Sequence, residues 1–355
     1  MTLILEILFF SGIALFLYTY VGYPLLLTFK REKTFPMDDA FEPTVSLIIT
    51  AYNEEKVIKS KLDNSLTLDY PEDKLEIILA SDGSMDKTVQ IAEKLPRVKV
   101  MSLERKGKTS AQNRAAKEAS GEILVFSDAN GIYSQDAVRK LVRNFRDPDV
   151  GCVCGELRYE GNSQEGLYWR YEVMIKKLES RTGRLLGANG CIYAVRKEYF
   201  VELPDEVISD FVVPLKVFEN GKYIIYEKEA LAWEDHPLET FQRKRRIILR
   251  SLQSLRHLRL LLNPFKRRNL FWQLFSHKIL RWFMSFVLMS VFITNALLLK
   301  EGIFYEFFFV AQVMGYLIAT VNLTARYYLI VNAASFLGVV DWIKGKRIIT
   351  WSVDR

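Results

Sequence analysis

Cysteine and histidine are both scarce, with three of each among 355 residues. An odd number of cysteines gives no sign of a disulfide framework. Cys152 and Cys154 are separated by one residue and no second pair follows them, which excludes a zinc knuckle. Their alternation in "VGCVCGELRY" is typical of a β-strand, so we interpret them as strand residues.

Charge is absent from three long segments of the chain, Ile7–Phe29, Trp282–Leu299 and Phe307–Ala325. Each is close to the roughly 20 apolar residues that cross a bilayer, so we expect three membrane spans. A fourth uncharged segment, Tyr327–Val340, has only 14 residues and is too short to cross comfortably, so we expect it to be re-entrant or to lie on the membrane surface. The first segment lacks the basic start of a signal peptide, which favours retention as an anchor over cleavage.

Basic residues flank these segments unequally. They adjoin the ends that face the middle of the chain, at Lys30, Arg31, Lys33, Lys278 and Arg281. The loop between the second and third segments has only Lys300, beside two glutamates. Because basic residues accumulate on the cytoplasmic side, we expect the polar middle and the C-terminus to be cytoplasmic. The formal charge of +7 then reflects membrane lipids rather than nucleic acid, since no basic stripe interleaved with aromatics is present.

The polar middle alternates between apolar strand patterns and helical patterns. The strand patterns are "TVSLIITAYN", "LEIILASDG", "VKVMSLE" and "ILVFSDAN", and shorter strands follow after residue 150. Such alternation predicts a parallel sheet with helices on both faces, extended by a mixed second half. Ligands of such sheets bind beyond the carboxyl ends of the strands, where Tyr52, Asp82 and Asp128 are predicted to lie.

The stretch "GEILVFSDANG" ends an apolar strand on Asp128, and Asn130 follows two residues later. An unpaired buried carboxylate is costly, so a cation, hydrogen-bond donors or water must compensate it. The strand pattern leaves these three alternatives open.

A basic amphipathic pattern precedes the second uncharged segment. In "LETFQRKRRIILRSLQSLRHLRLLL" one face is apolar, with Ile247, Ile248, Leu252, Leu255, Leu258 and Leu262. Such a helix is typical of the membrane interface. We therefore divide the chain into a membrane anchor (1–30), a cytoplasmic α/β domain (31–238), an interfacial helix (239–270) and a membrane region (271–355). The last contains two spans, the short segment and a basic tail.

Four segments resemble, in order, the motif series of family 2 glycosyltransferases: "VSLIITAYNEE", "LASDGSMDKT", "GKTSAQNRAAKEASGEILVFSDAN" and "VISDFVVPLKVFENG". The resemblance covers about residues 44–246. It implies the GT-A fold, a Rossmann-like mixed sheet with helices on both faces, here joined to transmembrane helices. It also implies a membrane-anchored enzyme of the polysaccharide- or glycolipid-building type. Such an enzyme moves a sugar from a UDP- or GDP-sugar to a lipid-linked or glycan acceptor, with inversion and with Mg²⁺ or Mn²⁺.

The resemblance assigns roles to individual residues. The nucleotide and its phosphates would be contacted by Ala51, Tyr52, Glu54, Asp82, Lys108 and Asn113. Asp128 stands at the first position of the family's Asp-x-Asp motif and would hold the metal with the donor's diphosphate. Asn130 replaces the second aspartate and would ligate through its amide oxygen or through water. Asp210, in "ISD", would be the catalytic base, and Ser209 replaces the family's usual acidic neighbour. Turn or helix capping is the alternative for Asp82 and Asp210.

Two further elements of the resemblance are partial. Gln242 and Arg245 match the family's Gln-x-x-Arg-Trp element and would contact the diphosphate, and Arg246 stands in place of the tryptophan. Their alternative role is basic charge facing the membrane. The missing tryptophan favours single-sugar addition over a processive synthase that extrudes its product. His236 would contact the metal or the diphosphate, or would be structural.

Two functions of other classes are less consistent with the sequence. A membrane transporter would explain the uncharged segments, but none of them contains a charge at mid-depth. A non-catalytic sensor of nucleotide-sugars would be expected to lack Asp128 or Asp210, and both are present.

Overall fold

A computed structural model of the protein describes residues 1–159, 166–235, 240–259 and 261–348. His236 and the end of the predicted basic tail lie outside these ranges. The strands are β1 (Val45–Ala51), β2 (Leu75–Asp82), β3 (Val98–Leu103), β4 (Ile123–Asp128), β5 (Ile132–Tyr133), β6 (Val150–Tyr159), β7 (Tyr193–Arg196) and β8 (Tyr223–Glu234).

The α-helices surround this sheet or extend from it. They are α1 (Thr2–Leu17), α2 (Tyr23–Thr28), α3 (Ile58–Leu66), α4 (Thr88–Ala92), α5 (Lys108–Glu118), α6 (Ala137–Val142), α7 (Gly166–Ser180), α8 (Ser209–Glu219), α9 (Thr240–Ser254), α10 (Arg268–Leu274), α11 (Leu280–Leu297), α12 (Ile303–Val321) and α13 (Leu323–Ile343). Short π-helical turns join α1 to α2 and α10 to α11, so each pair forms one long rod.

The strands form one sheet in the order β3-β2-β1-β4-β7-β6-β8-β5. The first four are parallel, as the alternating pattern predicted. β7 then runs antiparallel between β4 and β6, and β8 is parallel to β6, which makes the second half mixed. The free cysteines Cys152 and Cys154 are buried in β6, so their interpretation as strand residues is confirmed.

The sheet is covered on both faces. Every residue of β1 is buried, as expected for a central strand between two helix layers. Its neighbouring residues Ile48 and Ile49 belong to two different hydrophobic clusters, one on each face. Burial on both faces explains why β1 and β4 read as continuous apolar runs in the sequence.

Among the residues that the structure describes, four helices are long and apolar enough to cross a membrane: Thr2–Thr28, Arg268–Leu297, Ile303–Val321 and Leu323–Ile343. The first three contain most of the three predicted spans. The fourth has 21 residues, so the expectation that this segment is too short to cross is wrong on length. The helix continues past the uncharged run at both ends and includes Arg326 and Asp341.

Both ends of α13 nevertheless contact helices that belong to the α/β domain or pack against it. The ring of Tyr327 lies 5.3 Å from that of Tyr168 in α7, and Asp341 pairs with Arg245 in α9. A helix that crossed the bilayer would carry one end about 30 Å away from that domain. These contacts favour the predicted surface placement of α13, which stays a prediction.

The apolar face of the predicted interfacial helix packs largely against protein, whereas the sequence predicted that it faces lipid. Helix α9 ends at Ser254, and Ile248, Leu252 and Leu258 are buried in the main hydrophobic cluster. Ile248 packs beside Gly338 of α13. The periodicity that suggested insertion into lipid therefore reflects packing inside the protein. Whether the outer face of α9 meets the membrane stays a prediction.

Helix α7 joins the sheet to the first two candidate membrane helices through buried ionic contacts. Glu179 accepts a hydrogen bond from the hydroxyl of Tyr23 (2.5 Å) and lies 2.7 Å from Nδ1 of His277. Glu172 forms an ion pair with Arg281. These pairs fix the first and second candidate membrane helices against the same domain helix.

Candidate active site

The carboxyl ends of β1, β2 and β4 meet at one edge of the sheet. Ala51 lies opposite Ser81, and Thr50 lies opposite Asp128. The strand ends that the sequence singled out are therefore adjacent, and the site is built on this edge.

Lys108 lies between two carboxylates at this edge. It is the first residue of α5, and its Nζ forms an ion pair with Asp128. Burial alone would lower the pKa of Lys108, but the charges of Asp128 and Asp210 outweigh it and the pKa is raised. The lysine is therefore a fixed positive charge between the predicted metal ligand and the predicted base.

The loop before β7 brings Asp210 to this centre. A Cβ added at Gly190 would lie 2.5 Å from Oδ2 of Asp210 and 3.1 Å from Nζ of Lys108. Any larger residue would push the two side chains apart, so glycine is required here for close approach. The neighbouring Asn189 is held by Lys176 of α7 and by the carbonyl of Gly155.

Asp210 lies in the first turn of α8, and the pKa of its carboxyl is shifted from the ordinary value. Burial raises the pKa of its carboxyl, the charge of Lys108 lowers it, and the net direction is upwards. A carboxyl with a raised pKa binds a proton more readily than a solvated one. This property suits a general base.

The segment that leads into Asp210 is held from two sides. From α5, the hydroxyl of Thr109 donates to the carbonyl of Val207 (2.8 Å). From α9, the guanidinium of Arg250 donates to the same carbonyl (2.7 Å), and Oγ of Ser254 accepts from the backbone N–H of Ile208 (3.2 Å). Arg250 is 8% exposed, and burial lowers its pKa to about 10. The sequence reasoning missed this residue.

Helical spacing explains which arginines of α9 face the site. Arg246 and Arg250 are one turn apart on the same face, and the charge of Arg246 further lowers the pKa of Arg250. Arg245 points the other way, where it forms two hydrogen bonds to Asp341 of α13 (2.7 and 2.9 Å). Gln242 is exposed. The predicted diphosphate contacts of Gln242, Arg245 and Arg246 stay predictions, and for Arg245 the bonds to Asp341 compete with that role.

The predicted nucleotide pocket lies at the ends of β1 and β2. Asp82 is fully buried, and its carboxylate accepts hydrogen bonds from the backbone N–H groups of Lys106 (2.8 Å) and Gly107 (2.9 and 3.0 Å). Burial raises its pKa against these donors. Asp82 therefore holds the loop before α5, in addition to any contact with a base.

Other predicted pocket residues also have contacts within the protein. The guanidinium of Arg105 lies 3.2 Å from the ring centre of Tyr52, which covers that face of the ring. Glu54 is buried, and its backbone N–H donates to the hydroxyl of Thr88 (2.8 Å). The side-chain amide of Asn113 exchanges two hydrogen bonds with the backbone of Leu203 (2.7 and 3.1 Å). Its predicted contact with the nucleotide competes with this structural role.

Lys61 is a second residue that the sequence reasoning missed. It is fully buried in α3, and its Nζ donates to the carbonyl of Gly131 (2.5 Å), directly after Asp128 and Asn130. Burial lowers its pKa to about 7, opposed by the charges of Cys191, Asp128 and Glu234. A signal was present, because Ile58, Lys61, Leu62 and Ser65 share the spacing of one helix face, and all four are buried.

The side chains at the end of β4 fit a metal only if other ligands come from the donor. Asp128 and Asn130 are both partly exposed at the edge of the sheet. Over the described ranges, no group of three or more His, Cys, Asp and Glu residues is placed to hold a metal ion. Mg²⁺ and Mn²⁺ accept phosphate oxygens and water as ligands, so one carboxylate and a diphosphate form a sufficient set.

The family of the α/β domain follows from a comparison of its sequence with known families. Residues 46–202 match the family described as glycosyl transferase family 2. The chain carries a family 2 glycosyltransferase domain. The family and the class of enzyme predicted from the motifs are therefore confirmed for this part of the chain.

Curated relatives of this glycosyltransferase domain have related names. A poly-β-1,6-N-acetyl-D-glucosamine synthase of Staphylococcus aureus is 30% identical over 204 residues, which are 53% of this chain and 49% of the relative. The probable glycosyltransferase YdaM of Bacillus subtilis is 29% identical over 238 residues, 61% of this chain and 56% of the relative. The chain thus spans about half the length of these relatives.

A solved structure has the same fold over nearly the whole chain. The mannosyltransferase PcManGT of Pyrobaculum calidifontis, in complex with GDP-Man and Mn²⁺, superposes with a TM-score of 0.76 at 23% identity. The superposition covers 96% of this chain and 99% of that one. The predicted GT-A fold with added apolar helices is therefore confirmed. A sequence identity of 23% does not assign roles to individual residues.

Proposed function

We propose that the protein is an inverting, metal-dependent glycosyltransferase that moves a sugar from a nucleoside-diphosphate donor to a lipid-linked or glycan acceptor. The single observation that carries this proposal is the arrangement of Asp128, Lys108 and Asp210 at the carboxyl edge of the sheet. One carboxylate is available for a metal, one for a proton, and a lysine lies between them.

In this reaction Asp210 accepts the proton of the acceptor hydroxyl. The acceptor oxygen bonds to the anomeric carbon as the bond from that carbon to the diphosphate breaks, with attack from the opposite face. The raised pKa of Asp210 makes proton uptake easier, and Lys108 keeps the carboxyl ionised before attack. Arg250 and Thr109 hold the preceding backbone so that the carboxyl stays in place.

Asp128 is the proposed ligand of Mg²⁺ or Mn²⁺, and Asn130 the proposed second contact. When bound, the metal neutralises the charge that develops on the departing diphosphate. Lys108 pairs with Asp128 in the ligand-free chain and can also contact the phosphates. His236 lies outside the described residues and is kept as a predicted contact only.

The donor is proposed to be a UDP- or GDP-sugar bound at the ends of β1 and β2. Ala51, Tyr52, Glu54 and Asp82 line that part of the edge in the proposed complex. The GDP-Man of the Pyrobaculum enzyme and the synthase name of the Staphylococcus relative support the donor class without choosing the base.

Single-sugar addition is the favoured outcome. Arg246 stands in place of the family's tryptophan, and three spans are few for a polymer pore. The synthase name of the Staphylococcus relative supports the processive alternative. Product length separates the two, because a ladder of long chains would establish processive synthesis.

Catalysis is proposed to take place at the cytoplasmic face of the cell membrane, with the chain as a multi-pass protein. The basic residues beside the uncharged segments support this side. The four apolar helices support membrane association.

Turnover by the detergent-purified full chain tests the proposal. UDP- and GDP-sugars are screened with Mn²⁺ or Mg²⁺ for donor hydrolysis and transfer. We expect Asp210→Asn and Asp128→Ala each to lower turnover by at least about a hundredfold. Asp73→Asn, an exposed carboxylate outside the site, is the matched control. Full turnover in both site variants would refute the assigned roles.

A further inference from the structure

A basic groove lies far from the candidate active site. Its volume is about 590 Å³, and its lining includes Lys30, Arg31, Lys33, Thr182, Arg184 and Asn269. These residues come from three places: the chain after the first membrane helix, the loop after α7, and the start of α10. A backbone hydrogen bond from the N–H of Lys33 to the carbonyl of Arg181 (2.8 Å) joins two of them.

The positive charge of this groove is largely uncompensated. Among the described residues, neither Arg31 nor Arg184 has a carboxylate within ion-pair distance. Glu32 is the acidic residue of the lining, and it pairs with Arg181 (3.0 Å). Lys33 lies 3.5 Å from the ring centre of Tyr223, a contact that leaves its charge in place. Such a concentration of cations with hydroxyl and amide donors suits a phosphate group.

The groove lies where two candidate membrane spans end. The first ends at Thr28 and the second begins at Arg268. Just before the groove, Leu25 and Phe29 are 54% and 77% exposed, so an apolar surface leads up to the cations. The nearby Trp272 lies under Lys30, at 5.0 Å, and tryptophan is typical of the membrane–water boundary. The apolar surface matches the acyl chains of a phospholipid, and the adjacent cations match its phosphate headgroup.

The groove is separate from the donor site. Tyr223, in its lining, is the first residue of β8, and Glu234, whose charge acts on Lys108, is the last. The same length of β6, from Val150 to Tyr159, has ten residues, and both strands contain irregularities. At about 3.3 Å per residue, the two ends of β8 are roughly 25–30 Å apart. A phosphate in the groove therefore belongs to a different molecule from the donor.

We propose that this groove binds the phosphate of an anionic membrane lipid, with Arg31 and Arg184 as its main contacts. The acyl chains lie along the exposed apolar face of Leu25 and Phe29. Free phosphate shares the headgroup's chemistry, but only a lipid also uses the apolar face. The inference rests on the membrane placement of the helices and is independent of the proposed sugar transfer.

Binding is measured by native mass spectrometry on the full chain in neutral detergent. The probes are phosphatidylglycerol, phosphatidylcholine and inorganic phosphate. We expect phosphatidylglycerol to bind at least about tenfold more tightly than phosphatidylcholine, and Arg31→Gln/Arg184→Gln to abolish this preference. Arg31→Lys/Arg184→Lys is expected to keep most of it, which separates charge from folding. Lys94→Gln/Lys117→Gln removes two exposed cations elsewhere and is expected to leave it unchanged.

Three outcomes overturn the proposal. The first is equal binding of the two lipids by the unaltered chain. The second is a preference that survives Arg31→Gln/Arg184→Gln. The third is competition by inorganic phosphate at the concentration of the lipid, which would assign the groove to a soluble anion. Turnover of the sugar donor in detergent is measured in a separate experiment. A failure of the lipid-binding proposal can therefore be distinguished from a failure of the proposed sugar transfer.

Discussion

At the scale of single residues, Arg250 is expected to position the base. Its guanidinium holds the carbonyl of Val207, three residues before Asp210, and its charge lowers the pKa of Asp210. Arg250→Gln therefore raises that pKa further. Because the base must be ionised, we expect the acid limb of the pH profile of kcat/KM to move to higher pH, with kcat lowered by about tenfold or more.

The control for Arg250 is Arg259→Gln, an exposed cation beyond the end of α9. Both variants are compared with the unaltered enzyme from pH 4 to 9. A merely structural role would lower activity equally at every pH. An acid limb that does not move in Arg250→Gln would therefore refute the link to Asp210.

Lys61 gives a stability prediction with a defined sign. Its pKa is about 7 in the folded chain, below the ordinary value of a lysine, because it is buried. Between these two values the unfolded chain binds more protons, so the free energy of unfolding rises with pH. The gain is at most about 1.4 kcal/mol per pH unit. Lys61→Met removes this gain above pH 7.

Denaturant unfolding in detergent at pH 7, 8 and 9 measures this effect. Lys59→Met is the matched control, since Lys59 lies on the same helix with an exposed side chain that pairs with Asp63. The unaltered chain and the control are expected to gain stability relative to Lys61→Met as the pH rises. Parallel curves for all three would show that Lys61 titrates normally.

Residue types at strand ends were predictable, but their partners were not. Asp128 stands out because a carboxylate that ends an apolar strand needs compensation, and Asp82 ends the neighbouring strand. Asp210 lies in a helix and was found only through the resemblance to family 2 glycosyltransferases. That Asp82 binds the backbone of Lys106 and Gly107 depends on loop geometry, which no local pattern encodes. Arg250 was hidden among the other basic residues of α9, where only the tertiary contact with Val207 distinguishes it.

At the scale of elements, the apolar face of a helix predicted that this face is buried, but not whether protein or lipid covers it. The apolar faces of α9 and α13 were assigned to the membrane surface, and in the structure these helices pack on each other beside the domain. Lipid and protein interior are equally apolar, so periodicity alone does not separate them. The strand–helix alternation succeeded because it depends on chain connectivity, which local patterns do reveal.

The contact between α7 and the second candidate membrane helix is expected to be a major source of stability. Burial alone would raise the pKa of Glu172, but Arg281 and His277 hold it well below its ordinary value. Glu172→Ala leaves Arg281 without its carboxylate partner in a buried place, at a cost of about 3–5 kcal/mol. We expect a clear drop in the thermal unfolding midpoint of the detergent-purified chain.

Replacing both partners tests the same element more sharply. Glu172→Met/Arg281→Met removes both charges, so it is expected to be more stable than Glu172→Ala alone. The exposed pair of Lys59 and Asp63 is the control, and Asp63→Ala is expected to change the midpoint little. A Glu172→Ala midpoint equal to that of Asp63→Ala would contradict the account.

At the scale of the whole molecule, the account predicts a sidedness. Lys300→Cys is expected to react with an impermeant maleimide in intact cells, because the proposed topology places its loop outside. Lys344→Cys, after α13, is expected to react only after permeabilisation, like Lys117→Cys in the domain. The native cysteines are buried and give a low background. Labelling of Lys344→Cys in intact cells would show that α13 crosses the membrane.

The central claim is that Asp128 and a nucleoside diphosphate hold a divalent ion together. Mn²⁺ binding, followed by electron paramagnetic resonance with and without UDP or GDP, tests it most directly. The account predicts that nucleotide strongly increases Mn²⁺ binding to the unaltered chain and to Asp73→Asn, and that Asp128→Ala loses this increase. Nucleotide-dependent Mn²⁺ binding that is unchanged in Asp128→Ala would contradict it.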